Sequence, residues 1–248
     1  MKGIILLSIV EGLTEFLPIS STAHLILISK LLSINQTPEH ITFEVIIQLA
    51  ALMAVIYRYK DYRDIEIWKK VFLAFLPIVF VGFFLHKIIY SLLSNMLVIV
   101  ITSIFWGIVF IIVEKIKKEK IYDLKSISYK EALIIGLFQT FSLIPGTSRS
   151  GSTIVGGLLL GLKRDVATEF SFLLAIPTLF SATVFTVYKN IDYLTLPDVY
   201  TIILGSIISF ITALISVNLF LKYVKNHSLI WFGIYRIIFG IICLFLLI

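Results

Sequence analysis

The sequence predicts an all-α integral membrane protein with two inverted-topology repeats, each a re-entrant pair of half-helices followed by three transmembrane helices. Three observations predict this fold: long apolar stretches, a proline-centred motif that occurs twice, and a one-sided distribution of Lys and Arg. Of the 248 residues, 59% are hydrophobic, whereas soluble domains have roughly 45–50%. Apolar runs close to the roughly 20 residues that span a bilayer lie at 71–93, 96–113, 199–221 and 229–248.

A proline within a hydroxyl-rich turn occurs once in each half of the chain. Pro18 belongs to "LPISST" and Pro145 to "IPGTSRSGST", and a Phe follows each proline after 25 residues, at Phe43 and Phe170. Three long apolar segments follow each turn, at 42–58, 71–93 and 96–114, and at 168–188, 199–221 and 229–248. Two copies of one unit are typical of transporter-like folds.

This matched order predicts a single membrane domain, 1–248, in which a basic linker (114–126) joins repeat one (1–114) to repeat two (127–248). Proline removes a backbone donor and clashes with the preceding turn, which argues against straight helices through 3–33 and 131–162. Re-entrant pairs of half-helices are the alternative, because irregular backbone is tolerated in a membrane where protein buries it.

The basic residues favour the re-entrant arrangement. It puts 15 of the 21 Lys and Arg on one side of the membrane and 4 on the other, whereas two straight helices would give 13 and 6. The basic side comprises the loops 58–70, 114–130, 163–164 and 222–228. Because basic loops stay cytoplasmic, we expect both termini outside and the two turns to enter from opposite faces and meet near the midplane. The net charge of +6 belongs to these loops, so no nucleic-acid partner is expected.

The first turn carries two acids within apolar sequence. Glu11 and Glu15 are four residues apart and share one helix face, and ionisable groups are costly in a membrane, so we assign them to function. The same turn also supplies hydroxyls and an imidazole, from Ser20, Ser21, Thr22 and His24. Ser20 and Thr22 have a second interpretation, because serines and threonines at turns often satisfy their own backbone.

The second turn carries a cation at the start of a half-helix, expected at 152–161. Helix N-termini bind anions, and the guanidinium of Arg149 suits phosphate; an ion pair with Glu11 or Glu15 is the alternative. Gln48 is expected to support the first turn from the next span. Arg236 either neutralises a carboxylate or extends to the membrane surface, and the sequence leaves both interpretations open.

Together the two turns favour hydrolysis of a phosphate compound that resides in the membrane. No zinc-binding pattern and no P-loop occur in the sequence. A secondary transporter is the main alternative, on architecture alone. A purely structural membrane subunit would leave Arg149 and both glutamates without a purpose.

The motifs "EGLTEFLPISSTAHL" and "PGTSRSGST" resemble the two signature motifs of the undecaprenyl-diphosphate phosphatase family of the bacitracin-resistance type. The segments "FEVIIQLAALMAVI" (43–56), "EFSFLLAIP" (169–177) and "YRIIFG" (235–240) also resemble that family's pattern, so the similarity covers nearly the whole chain. Ala23 stands where many members have glycine, and the chain is short for the family.

The resemblance implies an enzyme that hydrolyses undecaprenyl diphosphate to undecaprenyl phosphate and inorganic phosphate, which recycles the lipid carrier for cell-wall peptidoglycan. It implies six spans in the plasma membrane, with the site open to the outer face. A transporter or flippase of polyprenyl phosphate remains the alternative. The expected partners are the polyprenyl diphosphate and membrane lipids. The oligomeric state is left open, with a homodimer as one alternative.

The resemblance also implies roles for individual residues. The expected catalytic residues are Glu11, Glu15, Ser21, His24 and Arg149. The expected phosphate-binding residues are Ser148, Arg149, Ser150, Gly151 and Thr153, and the expected supporting residues are Ser20 and Gln48. The family is stimulated by metal ions, so Glu11 and Glu15 are also candidates to bind a divalent cation, Mg²⁺ or Ca²⁺. Either the Ser21 hydroxyl or a water molecule would attack the phosphorus.

Overall fold

The computed structural model describes residues 2–35, 37–93, 95–190 and 196–246, which form ten α-helices and two short 3₁₀ turns and contain no β-strand. Met1, the last two residues of repeat two and positions 36, 94 and 191–195 lie outside the described residues. In the first half the helices are α1 (Lys2–Thr14), α2 (Ser21–Leu31), α3 (Pro38–Arg58), α4 (Ile65–Leu93) and α5 (Met96–Ile116). In the second half they are α6 (Tyr129–Thr140), α7 (Arg149–Leu159), α8 (Arg164–Asn190), α9 (Leu196–Asn226) and α10 (Ile230–Phe245).

Both halves have two short helices followed by longer ones. Five helices, α3, α4, α5, α8 and α9, are long and apolar enough to cross a membrane. The predicted sixth span, α10, is described over 16 residues, which is about 24 Å of helix against a hydrocarbon core of about 30 Å. The prediction of an all-helical, multi-pass membrane protein is confirmed.

Several helices begin earlier than the apolar segments predicted. Helix α4 begins at Ile65, where the Asp64 carboxylate accepts hydrogen bonds from the backbone N–H groups of Glu66 (3.0 Å) and Ile67 (3.4 Å). Helix α7 begins at Arg149 instead of residue 152, because the Ser148 side chain caps it. Hydropathy detects only the apolar part of a helix, whereas capping side chains set where its hydrogen bonds start.

Each pair of short helices folds back on itself. A Cβ added at Gly3, in the first turn of α1, would lie 3.2 Å from Ile34 Cδ1, just beyond the end of α2. In the second half, α7 ends beside the linker, where the Lys120 N–H donates to Gly161 O at 2.7 Å. The linker leads directly into α6, so α6 begins on the side at which α7 ends. Both prolines therefore lie in turns between half-helices.

Helices α1 and α6 pack against long helices of the opposite half. Helix α1 contacts α9, where Gly12 lies against the Ser209 carbonyl with no room for a Cβ and Ser216 Oγ donates to Leu13 O at 2.7 Å. Helix α6 contacts α4 in the same way. Small residues allow this close approach of backbones, which is the usual basis of helix association in membranes.

The outer surfaces of the long helices are apolar. Phe80 and Phe72 on α4 are 62% and 60% exposed, and Phe180 and Phe185 on α8 are 56% and 57% exposed. A soluble protein rarely exposes such a continuous apolar surface. These side chains therefore face lipid, and the polar residues of both turns are enclosed by the helices.

We predict that Gly136→Ala destabilises the α4–α6 contact. The new methyl would overlap the Ala74 backbone carbonyl, which cannot move as a flexible side chain would, and overpacking of this kind costs roughly 1–3 kcal/mol. Thermal unfolding in detergent measures the change. The matched control is Gly82→Ala on α4, where the nearest atom, Leu143 Cδ2, lies 3.8 Å from the new methyl. Equal melting temperatures for the two variants would contradict the prediction.

Candidate active site

A polar cavity of about 160 Å³ lies where the two turns meet. The first turn contributes Ser20, Ser21 and Thr22, and the second contributes Pro145, Gly146, Ser148 and Arg149. Glu15 and Gln48 complete its polar side, and Ser142, Leu143, Thr178 and Leu179 form the rest of its wall. The structure thus brings together side chains from both halves that the sequence placed in separate motifs.

Two half-helices begin at this cavity with the same local structure. Ser20 precedes α2 and Ser148 precedes α7, and their side chains accept hydrogen bonds from the N–H groups of Ala23 (3.4 Å) and Gly151 (3.1 Å). Both serines have positive φ, 71° and 76°, a conformation that costs of order 1–3 kcal/mol for a non-glycine residue. The positive ends of two helix dipoles therefore face one small space, which favours an anion there.

The Glu15 carboxylate is the centre of the polar network. Ser21 Oγ donates to Glu15 Oε2 at 2.6 Å, and Gln48 Nε2 donates to the same oxygen at 3.0 Å. Arg149 Nη2 donates to Glu15 Oε1 at 3.1 Å. Glu15, Ser21 and Arg149 are all buried. One carboxylate therefore connects the first turn, the following span and the second turn.

Arg149 has further partners that fix its orientation. Its Nη1 donates to Ser171 O at 3.1 Å, and its guanidinium lies over the Phe16 ring, 5.5 Å from the centroid. The sequence left open an anion site or an ion pair with a glutamate. The structure contains the pair with Glu15, and the same side chain lines the cavity.

Three other residues predicted to bind phosphate hold the second turn in place. Ser150 Oγ donates to Leu17 O across the two turns at 2.9 Å. Thr153 Oγ1 donates to Ser171 Oγ at 2.7 Å, and the Gly151 N–H is capped by Ser148. None of the three lines the cavity. Their contacts orient the start of α7 toward the cavity.

Glu11 lies one helical turn before Glu15, whose N–H donates to Glu11 O at 2.9 Å, and has an unusual environment. Its side chain is buried, at 1% exposure, and among the described residues no donor hydrogen-bonds either carboxylate oxygen. The neighbouring carboxylates are Glu15 and Glu44. An acidic group buried in this way needs a proton or a cation. Within the described ranges, no group of three or more His, Cys, Asp and Glu residues is arranged to bind a metal.

Comparison with known proteins shows the family of this chain. A family model described as "Bacitracin resistance protein BacA" matches residues 4–242. The chain belongs to this family. Two relatives, both named undecaprenyl-diphosphatase, come from Methanococcus aeolicus (50% identical; 97% of this chain and 96% of the relative) and Sulfurihydrogenibium sp. (51%; 96% of each). A third with that name, from Aquifex aeolicus, is 46% identical over 96% of this chain and 95% of the relative.

In this member of the BacA family, His24 faces away from the cavity. Its Nδ1 donates to Ser20 O at 2.7 Å, so its Nε2 accepts from the Tyr235 hydroxyl at 2.6 Å. The ring stacks on Phe239 with 4.2 Å between centroids. His24 therefore connects the first turn to α10. Sequence reasoning assigned no role to Tyr235, because nothing local relates position 235 to position 24.

Arg236, on α10, is a further residue whose role the sequence left undecided. It is 1% exposed, and it donates from Nη1 to Pro18 O at 3.0 Å and from Nη2 to Gly146 O at 2.7 Å. It neither neutralises a carboxylate nor extends to the surface. One guanidinium therefore joins the backbones of both turns. The sequence signal for a role of Arg236 was its position in an apolar segment. Its partners could not be predicted, because they are distant in sequence.

We predict that Arg236→Met separates the two turns and destabilises the protein. It leaves two buried carbonyls without donors, and a hydrogen bond to a charged group contributes roughly 1.5–3 kcal/mol. Thermal unfolding in detergent measures the loss, and Arg236→Lys should recover part of it by keeping one donor. The control is Arg63→Met, on an exposed loop, for which we expect a change within about 0.5 kcal/mol. Unchanged stability of Arg236→Met would refute the bridging role.

Proposed function

We propose that this chain hydrolyses undecaprenyl diphosphate to undecaprenyl phosphate and inorganic phosphate, and so returns the lipid carrier to cell-wall synthesis. Relatives that are about 50% identical to this chain over nearly their full length are named undecaprenyl-diphosphatase. The observation that carries the proposal is the Glu15 carboxylate, which binds a hydroxyl of one turn and a guanidinium of the other within one cavity. This arrangement combines an acid–base group with an anion-binding group.

The substrate's diphosphate would occupy the cavity between the two helix N-termini. Arg149, at the start of α7, would bind the phosphoryl oxygens and stabilise the charge that develops on them. Ser148 and Ser20 hold the two helix ends in position through their caps. Preorganised donors of this kind need no rearrangement during the reaction, which is the main source of their catalytic effect.

Two routes for the attack fit this geometry. In the first, Glu15 accepts the proton of Ser21, Ser21 Oγ attacks the terminal phosphorus, and the bond to the bridging oxygen breaks to release undecaprenyl phosphate; water then hydrolyses the phosphoserine. In the second, Glu15 accepts a proton from water, which attacks directly while Ser21 positions it. The 2.6 Å separation of Ser21 Oγ and Glu15 Oε2 is the distance expected of a nucleophile and its base.

A divalent cation fits the acidic side of the site. Glu11 offers two buried oxygens without donors, and Glu15 is its neighbour. Mg²⁺ is usually bound by one or two carboxylates together with substrate phosphates, so two glutamates are sufficient. When bound, the ion would neutralise charge on the diphosphate. In this proposal, His24 contributes through its hydrogen bonds with the Ser20 carbonyl and the Tyr235 hydroxyl. These two bonds fix the start of α2.

We propose that the single membrane domain consists of two repeats of opposite orientation. Helix α1 runs parallel to α9, and α9 runs parallel to α3, where Ser209 Oγ donates to Ile47 O at 2.8 Å. Helix α6 runs parallel to α4, where Tyr129 donates to Glu66 at 2.8 Å. Since α3 and α4 are consecutive spans, α1 and α6 should point in opposite directions. With the basic loops inside, the protein would lie in the plasma membrane with both termini and the site facing outward.

The proposed activity predicts large losses in two conservative variants. Glu15→Gln removes the base, and Arg149→Lys removes a planar donor; we expect each to lower the turnover of undecaprenyl diphosphate by about 10²–10⁴-fold. Phosphate release by the purified protein in detergent measures this. Glu66→Gln and Arg63→Lys, in the exposed 63–66 segment, are the matched controls. Absence of phosphate release by folded wild type, with transport of polyprenyl phosphate in vesicles, would favour the transporter alternative.

The metal proposal predicts a separate effect of Glu11→Gln. This variant keeps the shape of the side chain but loses its charge, so we expect the Mg²⁺ concentration for half-maximal turnover to rise at least about tenfold. Mn²⁺ binding followed by electron paramagnetic resonance provides a readout that is independent of turnover. Full activity of the wild type in chelator, with no Mn²⁺ bound, would remove the metal from the proposal.

A further inference from the structure

The charges that line the active-site cavity cancel one another. Among the described residues that line it, the charged side chains are Glu15 and Arg149, and they form an ion pair at 3.1 Å. The charge of Arg149 is therefore already neutralised before any ligand binds. A diphosphate is a multiply charged anion, and moving it into a buried space is favourable only when a nearby cation offsets its charge.

Arg236 is a buried cation without a carboxylate partner. It is 1% exposed, and none of the ion pairs between described residues includes it. Its ionisable neighbour His24 donates from Nδ1 and accepts at Nε2, so the imidazole is neutral. A buried charge without a counter-charge is costly. The positive charge of Arg236 is therefore available to an anion that binds nearby.

The guanidinium of Arg236 lies directly behind the wall of the cavity. Gly146 lines the cavity, and its carbonyl accepts from Arg236 Nη2 at 2.7 Å. The second carbonyl partner, that of Pro18, accepts from Nη1 at 3.0 Å. Pro18 and Gly146 each lie two residues before the serine that caps a half-helix, Ser20 and Ser148. The charge thus lies beside the starts of both half-helices and adds to two dipoles that favour an anion.

We propose that Arg236 supplies the net positive charge that binds the diphosphate in the active-site cavity. This inference rests on the proposed function, because it takes the anion to be the diphosphate of the substrate. Arg149 contacts the phosphoryl oxygens, whereas Arg236 is a positioning residue that acts across the Gly146 carbonyl. Attraction between charges on the two sides of one peptide group is strong where protein excludes water.

Two variants of Arg236 separate its charge from its hydrogen bonds. Arg236→Lys keeps the charge and one donor, whereas Arg236→Gln loses the charge and keeps an N–H₂ group. The probe is methylenediphosphonate, a diphosphate analogue that cannot be hydrolysed, and isothermal titration calorimetry in detergent measures its binding. We expect the dissociation constant of Arg236→Lys to lie within about threefold of wild type and that of Arg236→Gln to rise about 10–100-fold.

Equal dissociation constants for the two Arg236 variants would overturn the proposal, because a purely structural role does not distinguish them by charge. Absence of diphosphonate binding by folded wild type would overturn it as well.

A second pair of variants leaves Arg236 and its hydrogen bonds in place. Ser103, on α5, is buried, and its hydroxyl has no partner among the described residues. It lies one helical turn after Ile99 and one before Gly107. A Cβ added at Gly107 would lie 3.2 Å from Arg236 Cβ, and one at Gly146 would lie 3.0 Å from Ile99 Cα. Ser103 therefore lies between the two turns of α5 that contact Arg236 and its carbonyl partner.

A carboxylate at position 103 would neutralise Arg236 from within the protein. We expect Ser103→Asp to weaken diphosphonate binding about tenfold. Ser103→Asn, which has the same size and no charge, is the matched control and should bind like wild type. Equal affinities of these two variants would overturn the role of the charge, even if the Arg236 variants fail to fold.

Turnover separates this proposal from the proposed activity. Because the charge acts on binding, Arg236→Gln should raise KM for undecaprenyl diphosphate more than it lowers kcat, and Arg236→Lys should restore KM. Charge-dependent diphosphonate binding without any hydrolysis would retain the role of Arg236 and overturn the proposed activity. Hydrolysis by wild type, with equal KM in both Arg236 variants, would retain the activity and overturn the role of the charge.

Discussion

The ion pair between Glu15 and Arg149 is the interaction on which the site depends. It joins two half-helix turns from opposite halves of the chain, 134 residues apart, in a region enclosed by apolar helices. A buried ion pair is costly to desolvate and is stable only when further hydrogen bonds satisfy its remaining groups. Here Ser21, Gln48 and Ser171 supply them. Two of these groups, Ser21 and Gln48, also line the cavity.

The backbone around this pair is held by a second network that contains no carboxylate. Arg236 joins the carbonyls of Pro18 and Gly146, and Ser150 joins the second turn to Leu17. These contacts offset the strain of two serines with positive φ. A diphosphate requires donors at fixed positions, and two turns tied to each other at several points provide them better than either turn alone.

The sequence predicted the polar composition of the site better than its geometry. Glu15 and Arg149 were assigned because charged groups are costly in apolar sequence unless they serve a purpose, whereas the role of Ser21 came mainly from the family resemblance. The roles of Tyr235 and Arg236 were not predictable, since their partners lie 211 and up to 218 residues away. The sequence placed the starts of α4 and α7 later than Ile65 and Arg149, because hydropathy does not detect the side chains that cap a helix.

The exchange of short helices between the halves has a consequence for how the protein is made. Helix α1 packs on α9, and Glu15, which follows α1, pairs with Arg149. Both contacts can form only after α9 and Arg149 have been synthesised. Until then the α1–α2 pair holds the Glu11 and Glu15 carboxylates in the bilayer without the Arg149 guanidinium. The N-terminal half must therefore remain incompletely assembled at the translocon, and final folding is post-translational.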